Sequence, residues 1–247
     1  MIDLHCHILP DADDGAASEE ESCLMAQLAA DSGVTAIAVT PHCNVPGSFA
    51  NYADASLAAR FRGLDALLRA RNIPVRLYPG MEVYVTRDLP ALLQQRKLLP
   101  LGGSRYLLME FGFDEPAVFM EHMLRAVTDF GLVPAVAHPE RYYCVQDEPE
   151  LLFRWAESGT VLQLNKGSLF GMFGRRAAET AHWCLNEGCL HLIGSDAHSP
   201  YRRTPRLSEA WEYLAEYNSP EIADFLLQEN PQRILNDETV RPVFAEF

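Results

Sequence analysis

Ile2-Asp3-Leu4-His5-Cys6-His7 opens the chain as a short apolar run that ends in two imidazoles. Side chains alternate between the two faces of a β-strand, so this run predicts a strand with His5 and His7 on one face and Cys6 on the other. Two imidazoles side by side at a strand end supply half of a metal site. The pair alone fits two polar residues at a strand terminus equally well, so the later strands decide between the interpretations.

Apolar runs of this kind recur along the chain, bounded by turn residues and mostly followed by amphipathic stretches. Their nearly continuous apolar character is typical of parallel strands that are covered on both faces. The predicted strands span residues 1–7, 35–40, 75–80, 106–111, 133–138, 161–165 and 190–195. The predicted helices span residues 18–32, 54–71, 88–95, 116–130, 148–157, 175–187, 205–217, 220–228 and 231–235.

Seven strands that alternate with helices predict an α/β fold, specifically a distorted TIM-like (β/α)7 barrel. An open doubly wound sheet is the alternative, because the count of strands from one sequence is uncertain. A chain of 247 residues suits one domain of this class, so we expect a single domain over residues 1–247.

The overall composition limits the partners of the protein. The formal net charge is -14 and no basic block occurs, which disfavours broad binding to nucleic acid or to an anionic membrane. The chain starts directly in a predicted strand, and no apolar stretch reaches the roughly 18 residues of a membrane span, so we expect a cytoplasmic protein without stable membrane insertion. The six cysteines form no CxxC pair and are expected to be reduced thiols.

Metal-competent side chains occur at or just after the C-terminal ends of six of the seven predicted strands. Barrel enzymes build their active sites on this face, whereas chance placement would scatter such residues over helices and both ends of the barrel. This register therefore predicts a metal site. The candidate ligands are His5, His7, Asp14, His42, Glu82, Glu110, His138, Asp196 and His198.

Nine candidate ligands are too many for one ion, because a catalytic zinc takes about three protein ligands and a water. Two or three ions with a bridging carboxylate accommodate them. A mixed imidazole and carboxylate set suits manganese, iron or zinc better than copper(I) or an iron–sulfur cluster.

Charge bookkeeping indicates an anionic substrate. Three divalent ions against the four candidate carboxylates leave an excess of positive charge, and the nearby Arg141 and Arg203 increase it. A phosphomonoester dianion with a hydroxide fits such a site. A water that bridges two ions roughly 3.5–4 Å apart is acidified and would attack phosphorus, while the arginines and ions stabilise the phosphoryl oxygens.

Other hydrolase and cofactor motifs are missing from the sequence. No cysteine is followed six positions later by arginine, so the loop of the cysteine-dependent tyrosine phosphatases is absent. The sequence also contains no G-x-S-x-G elbow, no P-loop and no G-x-G-x-x-G motif, so a separate nucleotide-type cofactor is not expected.

Short motifs around the candidate ligands recur in a fixed order. They are His5-Cys6-His7 with Asp13-Asp14-Gly15, Thr40-Pro41-His42, Gly80-Met81-Glu82, Glu110-Phe111, His138-Pro139-Glu140-Arg141 and Ser195-Asp196-Ala197-His198. Together they resemble the polymerase and histidinol phosphatase (PHP) superfamily over about residues 1–236. The stretches MIDLHCHILP (1–10) and LNKGSL (164–169) are similar, more narrowly, to its bacterial manganese-dependent protein tyrosine phosphatases of the capsular and exopolysaccharide type.

The resemblance implies a distorted (β/α)7 barrel with three divalent ions, manganese first and iron, zinc or magnesium as alternatives. The implied ligand sets are His5, His7, Glu82 and Asp196 for one ion, Glu82, Glu110 and His138 for the second, and Asp14, His42 and His198 for the third. Arg141 and Arg203 would grip the phosphate, although Arg202 competes with Arg203. The implied partner is the phosphotyrosine tail of a bacterial tyrosine kinase that regulates exopolysaccharide synthesis or export.

Two departures and two alternatives accompany this interpretation. Asp11 stands where relatives often have Gly, and Cys43-Asn44-Val45-Pro46 replaces a more polar stretch, which bears on substrate preference. One alternative is a phosphomonoesterase for histidinol phosphate or another small molecule. The other is a non-catalytic partner protein that keeps the metals for stability. The sequence leaves the oligomeric state, the metal used in the cell and the proton donor to the leaving group open.

Overall fold

The computed structural model describes residues 1–246, so Phe247, the last residue of the predicted domain, lies outside the described residues. The strands are β1 (Ile2–Cys6), β2 (Ala36–Val39), β3 (His42–Cys43), β4 (Arg76–Pro79), β5 (Glu82–Tyr84), β6 (Tyr106–Glu110), β7 (Val133–Ala137), β8 (Val161–Asn165) and β9 (Leu192–Gly194). The helices are α1 (Glu19–Asp31), α2 (Ala55–Ala70), α3 (Leu89–Gln94), α4 (Ala117–Asp129), α5 (Tyr143–Asp147), α6 (Leu151–Glu157), α7 (Lys166–Leu169), α8 (Arg175–Asn186), α9 (Ser208–Tyr217), α10 (Pro220–Asp224) and α11 (Asn230–Leu235). A π-helical turn, Phe225–Glu229, lies between α10 and α11.

All strand pairings between these elements are parallel, which confirms the predicted α/β class. The strands form two sheets, with the orders β1-β2-β4 and β3-β5-β6-β7-β8-β9. The chain passes straight from β2 into β3 across Thr40-Pro41, and from β4 into β5 across Gly80-Met81. The predicted strands 35–40 and 75–80 thus correspond to β2 and β4 of the first sheet, and each is followed at once by a strand of the second sheet, β3 or β5, that was not predicted. Pro41 contributes to the first break, because proline has no N–H for a ladder hydrogen bond.

Hydrogen bonds between β1 and the segment after β9 join the other edges of the two sheets. The backbone N–H of Asp196 donates to the carbonyl of His5, and that of His7 donates to the carbonyl of Ala197, both at 2.9 Å. The buried carboxylate of Asp3 accepts from the backbone N–H of Ser195 at 3.0 Å and from its hydroxyl at 2.5 Å. These bonds link the β1 edge of the first sheet to the β9 edge of the second, an arrangement that agrees with the predicted distorted barrel.

A narrow apolar interior fills the space between the strands. It is a separate cluster from the larger one that packs strands against helices. Its alanines keep the strands close, and Ile234 of α11 packs into the same cluster. The interior residues are Ile2, Leu4, Ala36, Ala38, Leu101, Tyr106, Leu108, Ala135, Ala137, Val161, Leu192 and Ile234.

The helices lie close to their predicted positions. Ser18 caps α1, since its hydroxyl accepts from the backbone N–H of Glu21 at 3.2 Å, whereas the Glu21 carboxylate accepts from Ala17 and leaves the capping box half formed. The predicted helix 148–157 begins only at Leu151, and the short helices α5 and α7 were not predicted.

All six cysteines lie within the described residues and are free thiols. Within residues 1–246, no helix combines the length and the apolarity that crossing a bilayer requires.

Candidate metal centre

Strand β1 brings its two imidazoles together as the alternation predicted. The Nε2 atoms of His5 and His7 lie 3.2 Å apart, and both side chains are buried. Cys6 instead belongs to the apolar cluster between strands and helices. The pairing of β1 with β2 shifts register between Asp3 and Cys6, which is the irregularity that precedes the two histidines.

Glu82, the first residue of β5, lies at the middle of the cluster. Its Oε1 is 3.1 Å from Nε2 of His5 and 3.1 Å from Nε2 of His138. Its Oε2 is 3.2 Å from Nε2 of His7 and 3.0 Å from Nδ1 of His42. Two ligands that share an ion at about 2.0–2.2 Å are themselves about 3.0–3.5 Å apart, so this carboxylate has the spacing of a bridging ligand.

Two further carboxylates extend the cluster towards solvent. Glu110, at the end of β6, has oxygens 3.5 Å from His138 and 3.5 Å from His42. Asp14, in the loop after β1, has its Oδ1 3.5 Å from Nε2 of His42 and 3.4 Å from Nε2 of His198. Asp14 is more than half exposed, whereas the side chain of Glu110 is 13% exposed, so the site opens on the Asp14 side.

Asp196 closes the cluster from the end of β9. Its Oδ1 is 3.5 Å from the nearest ring nitrogens of His5, His7 and His198. Asp196 and His138 both adopt left-handed backbone conformations, with φ values of 49° and 37°. Such conformations cost roughly 1–3 kcal/mol for residues other than glycine, and they are concentrated at functional sites. They turn the chain sharply at the ends of β9 and β7.

The structure brings all nine predicted ligands into one cluster. Three groups of donors have atoms close enough to hold an ion, and they are His7 with Asp14, His42 and His198; His5 with His7 and Asp196; and His42 with Glu82 and Glu110. The first two groups overlap with two of the sets implied by the family resemblance. In the third, His42 takes the place expected for His138, although His138 approaches the same two carboxylates.

Charges within the cluster compensate one another. Burial opposes ionisation of Glu82, but the facing His5 and His42 hold its pKa well below the ordinary value. Burial and the charge of Glu82 raise the pKa of Glu110 to about 8, while burial lowers the pKa of His138 to about 4. The pKa of His5 is raised by Glu82 and Asp196 against the effect of burial. Metal binding at His5 therefore competes with protonation, whereas the low pKa of His138 keeps that imidazole neutral and available near pH 7.

The donor set fits divalent ions. Oε2 of Glu82 and Nδ1 of His42 are buried and lie 3.0 Å apart, but within the described residues neither has a hydrogen bond of good geometry. Buried polar atoms in that state call for another partner such as an ion. The donors are imidazole nitrogens and carboxylate oxygens without thiolate, which suits manganese, iron or zinc.

Asp13 orients the ligands through hydrogen bonds, a role that was not predicted from the sequence. Its Oδ2 accepts from Nδ1 of His7 at 2.7 Å and from the backbone N–H of His42 at 2.8 Å. Its Oδ1 accepts from the backbone N–H of Gly15 at 2.9 Å. The bond to His7 directs Nε2 of that ring towards the cluster. Gly15 is required here, since a Cβ would lie 2.1 Å from the carbonyl oxygen of His7.

Asp13→Asn is expected to weaken metal affinity about 10- to 100-fold, the range typical of lost ligand-orienting partners. An amide has only one acceptor atom, so it cannot accept from His7, His42 and Gly15 as the carboxylate does. Titration of metal-free protein with Mn²⁺ measures the effect. Asp11→Asn is the matched control, because Asp11 is exposed in the same loop and asparagine tolerates its φ of 54°. Equal affinities for the two variants would contradict the role of Asp13.

The two predicted arginines converge on Asp196. Oδ2 of Asp196 lies 3.6 Å from a terminal nitrogen of Arg141 and contacts a terminal nitrogen of Arg203. The amide of Asn165 donates to the same oxygen at 2.6 Å. Arg202 is exposed, and its backbone N–H donates to Ser199. Of the two adjacent arginines, the structure brings Arg203 to the cluster.

Comparison with known proteins identifies relatives across nearly the whole chain. The family model for capsular polysaccharide synthesis, CpsB/CapC, matches residues 1–236. Tyrosine-protein phosphatase YwqE of Bacillus subtilis is 33% identical over 97% of this chain and 93% of its own length. Tyrosine-protein phosphatase CpsB of Streptococcus pneumoniae is 27% identical over 97% of this chain and all of its own length.

Solved structures agree with the fold. One solved structure comes from work on YwqE of Bacillus subtilis and CpsB of Streptococcus pneumoniae, which are described as unique metal-dependent tyrosine phosphatases. It superposes on this chain with a TM-score of 0.90. It is 33% identical and the match covers 98% of this chain and 97% of the other. The lactonase Lmo2620 from Listeria monocytogenes superposes with a TM-score of 0.63 at 12% identity over 95% of this chain and 94% of its own, a likeness of fold alone.

Proposed function

Because the chain belongs to the CpsB/CapC family of capsular polysaccharide synthesis proteins, we propose that it is a metal-dependent protein tyrosine phosphatase. The observation that carries this function is the pair of guanidinium groups, from Arg141 and Arg203, beside Asp196 at the edge of the metal-competent cluster. Arginine binds phosphoryl oxygens through two parallel hydrogen bonds, and its fixed charge stabilises the phosphoryl group during transfer. Metal dependence of the related phosphatases agrees with the donor set.

The nine clustered side chains would hold three divalent ions, manganese first, with iron, zinc or magnesium as alternatives. Glu82 would contribute to more than one of these ions, because its two oxygens face four imidazoles. Bound divalent ions acidify water and stabilise charge on phosphoryl oxygens.

The residues of the chain have separate tasks in this proposal. Arg141 and Arg203 bind the phosphoryl oxygens and orient the ester for in-line displacement. Their contacts with Asp196 exchange for contacts with the substrate, since both guanidinium groups rest on the same carboxylate oxygen. The leaving phenol has a pKa near 10, so it departs more readily than an alkoxide and depends less on a strong general acid.

No cysteine serves as the nucleophile in this proposal. Cys6, the cysteine within the histidine motif, is completely buried in the apolar cluster. Burial raises the pKa of its thiol well above the ordinary value, whereas reactive cysteines have a depressed pKa and partial exposure.

The substrate of this proposal is phosphotyrosine on the tail of a tyrosine kinase that regulates exopolysaccharide synthesis or export. The role of the family in capsular polysaccharide synthesis supports that partner. The net charge of -14 is unsuited to nucleic acid. We further propose that residues 1–247 act as one cytoplasmic domain.

Hydrolysis of matched substrates tests the proposal. Metal content is measured on protein purified without added metal, and the protein is then loaded with Mn²⁺. Turnover is compared for a phosphotyrosyl peptide, the same peptide with phosphoserine, and histidinol phosphate. We expect the phosphotyrosyl peptide to have the highest kcat/KM and orthovanadate to inhibit only weakly, because no cysteine attacks phosphorus.

Two outcomes would contradict the proposed function. A clear preference for histidinol phosphate would identify a small-molecule phosphomonoesterase. The absence of any phosphomonoesterase activity from protein that has bound Mn²⁺ would instead favour a non-catalytic partner stabilised by metal.

A further inference from the structure

Two aromatic rings enclose the guanidinium group of Arg141. Its Cζ lies 4.5 Å from the ring centroid of Phe113 and 4.3 Å from that of Phe173. Both distances are within the range of cation–π contacts, which extend to about 6 Å. Contact with an aromatic ring uses a face of the planar guanidinium group, so the N–H donors at its edge stay available for an oxyanion.

Phe173 borders the second arginine as well. The Cζ of Arg203 lies 5.5 Å from the same ring centroid, and Nε of Arg203 is buried without a hydrogen-bond partner. One aromatic ring is thus next to both guanidinium groups that rest on Asp196. Phe113 contacts only Arg141 in this way.

The position of the Phe173 ring is specified by the chain beneath it. Phe173 lies in the loop between α7 and α8, and its ring approaches the backbone of Gly167. A Cβ on Gly167 would lie 2.8 Å from Cε2 of Phe173, so a larger residue there would move the ring. Gly167 is itself held by the side chain of Asn165, which accepts from its N–H at 2.8 Å and donates to Asp196.

We propose that Phe173 is a positioning residue that holds Arg141 and Arg203 as one oxyanion-binding pair. The inference rests on the proposed function, since it assumes that the two arginines bind the phosphoryl group. Both arginine side chains are long and flexible, and both guanidinium groups are attracted to the same carboxylate, that of Asp196. The ring restricts them to orientations in which the remaining N–H donors face the anion, which lowers the entropy cost of binding.

Phe173→Leu is the principal test, with Phe173→Tyr as the variant that keeps the ring. Phe170→Leu is the matched control, because Phe170 lies in the same loop, is half exposed and packs against Tyr213 rather than an arginine. We expect Phe173→Leu to raise the inhibition constant for inorganic phosphate and the KM about 10-fold, with a smaller change in kcat. Phosphotyrosyl peptide and a small alkyl phosphate should be affected alike, since the phosphoryl group is common to both.

A second measurement does not depend on activity. Modification of Arg141 and Arg203 by phenylglyoxal in metal-free protein, followed by mass spectrometry, reports how firmly the two groups are held. We expect several-fold faster labelling of both arginines in Phe173→Leu, wild-type rates in Phe173→Tyr and Phe170→Leu, and unchanged Mn²⁺ content in all variants.

Wild-type phosphate inhibition and labelling rates in a folded Phe173→Leu protein would overturn the inference. Failure of Phe173→Tyr to restore them would also overturn it, because the ring itself is the claimed element. If wild-type protein hydrolyses no phosphomonoester, the proposed function fails, while inorganic phosphate binding and arginine labelling still decide the role of Phe173.

Discussion

Glu82→Gln is expected to lower kcat/KM for a phosphotyrosyl peptide by about 10³-fold or more. Glu82 is completely buried, and its oxygens lie within 3.0–3.2 Å of nitrogens on four histidines. Glutamine keeps the shape but replaces one acceptor oxygen with a donor NH₂ and removes the charge. Electrostatic stabilisation by bound ions contributes several kcal/mol, and each 1.36 kcal/mol corresponds to about 10-fold in rate.

Metal stoichiometry separates this effect from a folding defect. We expect Glu82→Gln to bind fewer equivalents of Mn²⁺ than wild type. Its circular dichroism spectrum should match that of metal-free wild-type protein, which would show that the variant is folded. Glu157→Gln provides the control, because it makes the same chemical change at an exposed residue, the last of α6, that is not among the candidate ligands. Full metal content and full activity in Glu82→Gln would contradict the assignment of Glu82 as the central ligand of the proposed site.

Arg203→Lys is expected to lower kcat/KM about 10²- to 10³-fold, the typical effect of losing one donor to a developing oxyanion. Lysine retains the charge beside Asp196 but lacks the planar pair of donors that fits a phosphoryl group. Metal content should therefore remain unchanged, and steady-state kinetics on Mn²⁺-loaded protein measures the loss.

Arg202→Lys is the matched control for Arg203→Lys, because it makes the same change at the adjacent, exposed residue. We expect near-wild-type kinetics from it. A large loss in Arg202→Lys together with normal activity in Arg203→Lys would reverse the assignment of the phosphate-binding arginine.

The strands and the clustering of the ligands were predictable because both depend on local sequence periodicity. A parallel strand reads as an apolar run, and the residues at its C-terminal end share one face of the barrel. The change of sheet after β2 and after β4, which adds the short strands β3 and β5, was not predictable in this way. It depends on which neighbouring strand accepts each hydrogen bond across Thr40-Pro41 and Gly80-Met81, and one sequence does not encode that as a pattern.

The supporting residues of the site were harder to predict than the ligands. Asp13 and Asp14 are adjacent acids in one loop, and only the backbone path separates the acid that orients His7 from the one that faces His198. The choice between Arg202 and Arg203 also follows from the fold, where the N–H of His198 donates to the carbonyl of Arg203 and shapes that loop. The role of Phe173 beside the arginines could not be predicted from the sequence, because an isolated phenylalanine usually indicates core packing.

The division of the barrel into two sheets gives the metal centre a mechanical role. His5 belongs to β1 and His7 follows it, whereas His42, Glu82 and His138 belong to or follow strands of the other sheet. Ions held by both groups would fasten the seam between the sheets. By linkage, a ligand present at 100 times its Kd stabilises the form that binds it by about 2.7 kcal/mol. Closure of the barrel and metal loading would then be one coupled equilibrium, and we expect removal of metal to loosen the fold first at this seam.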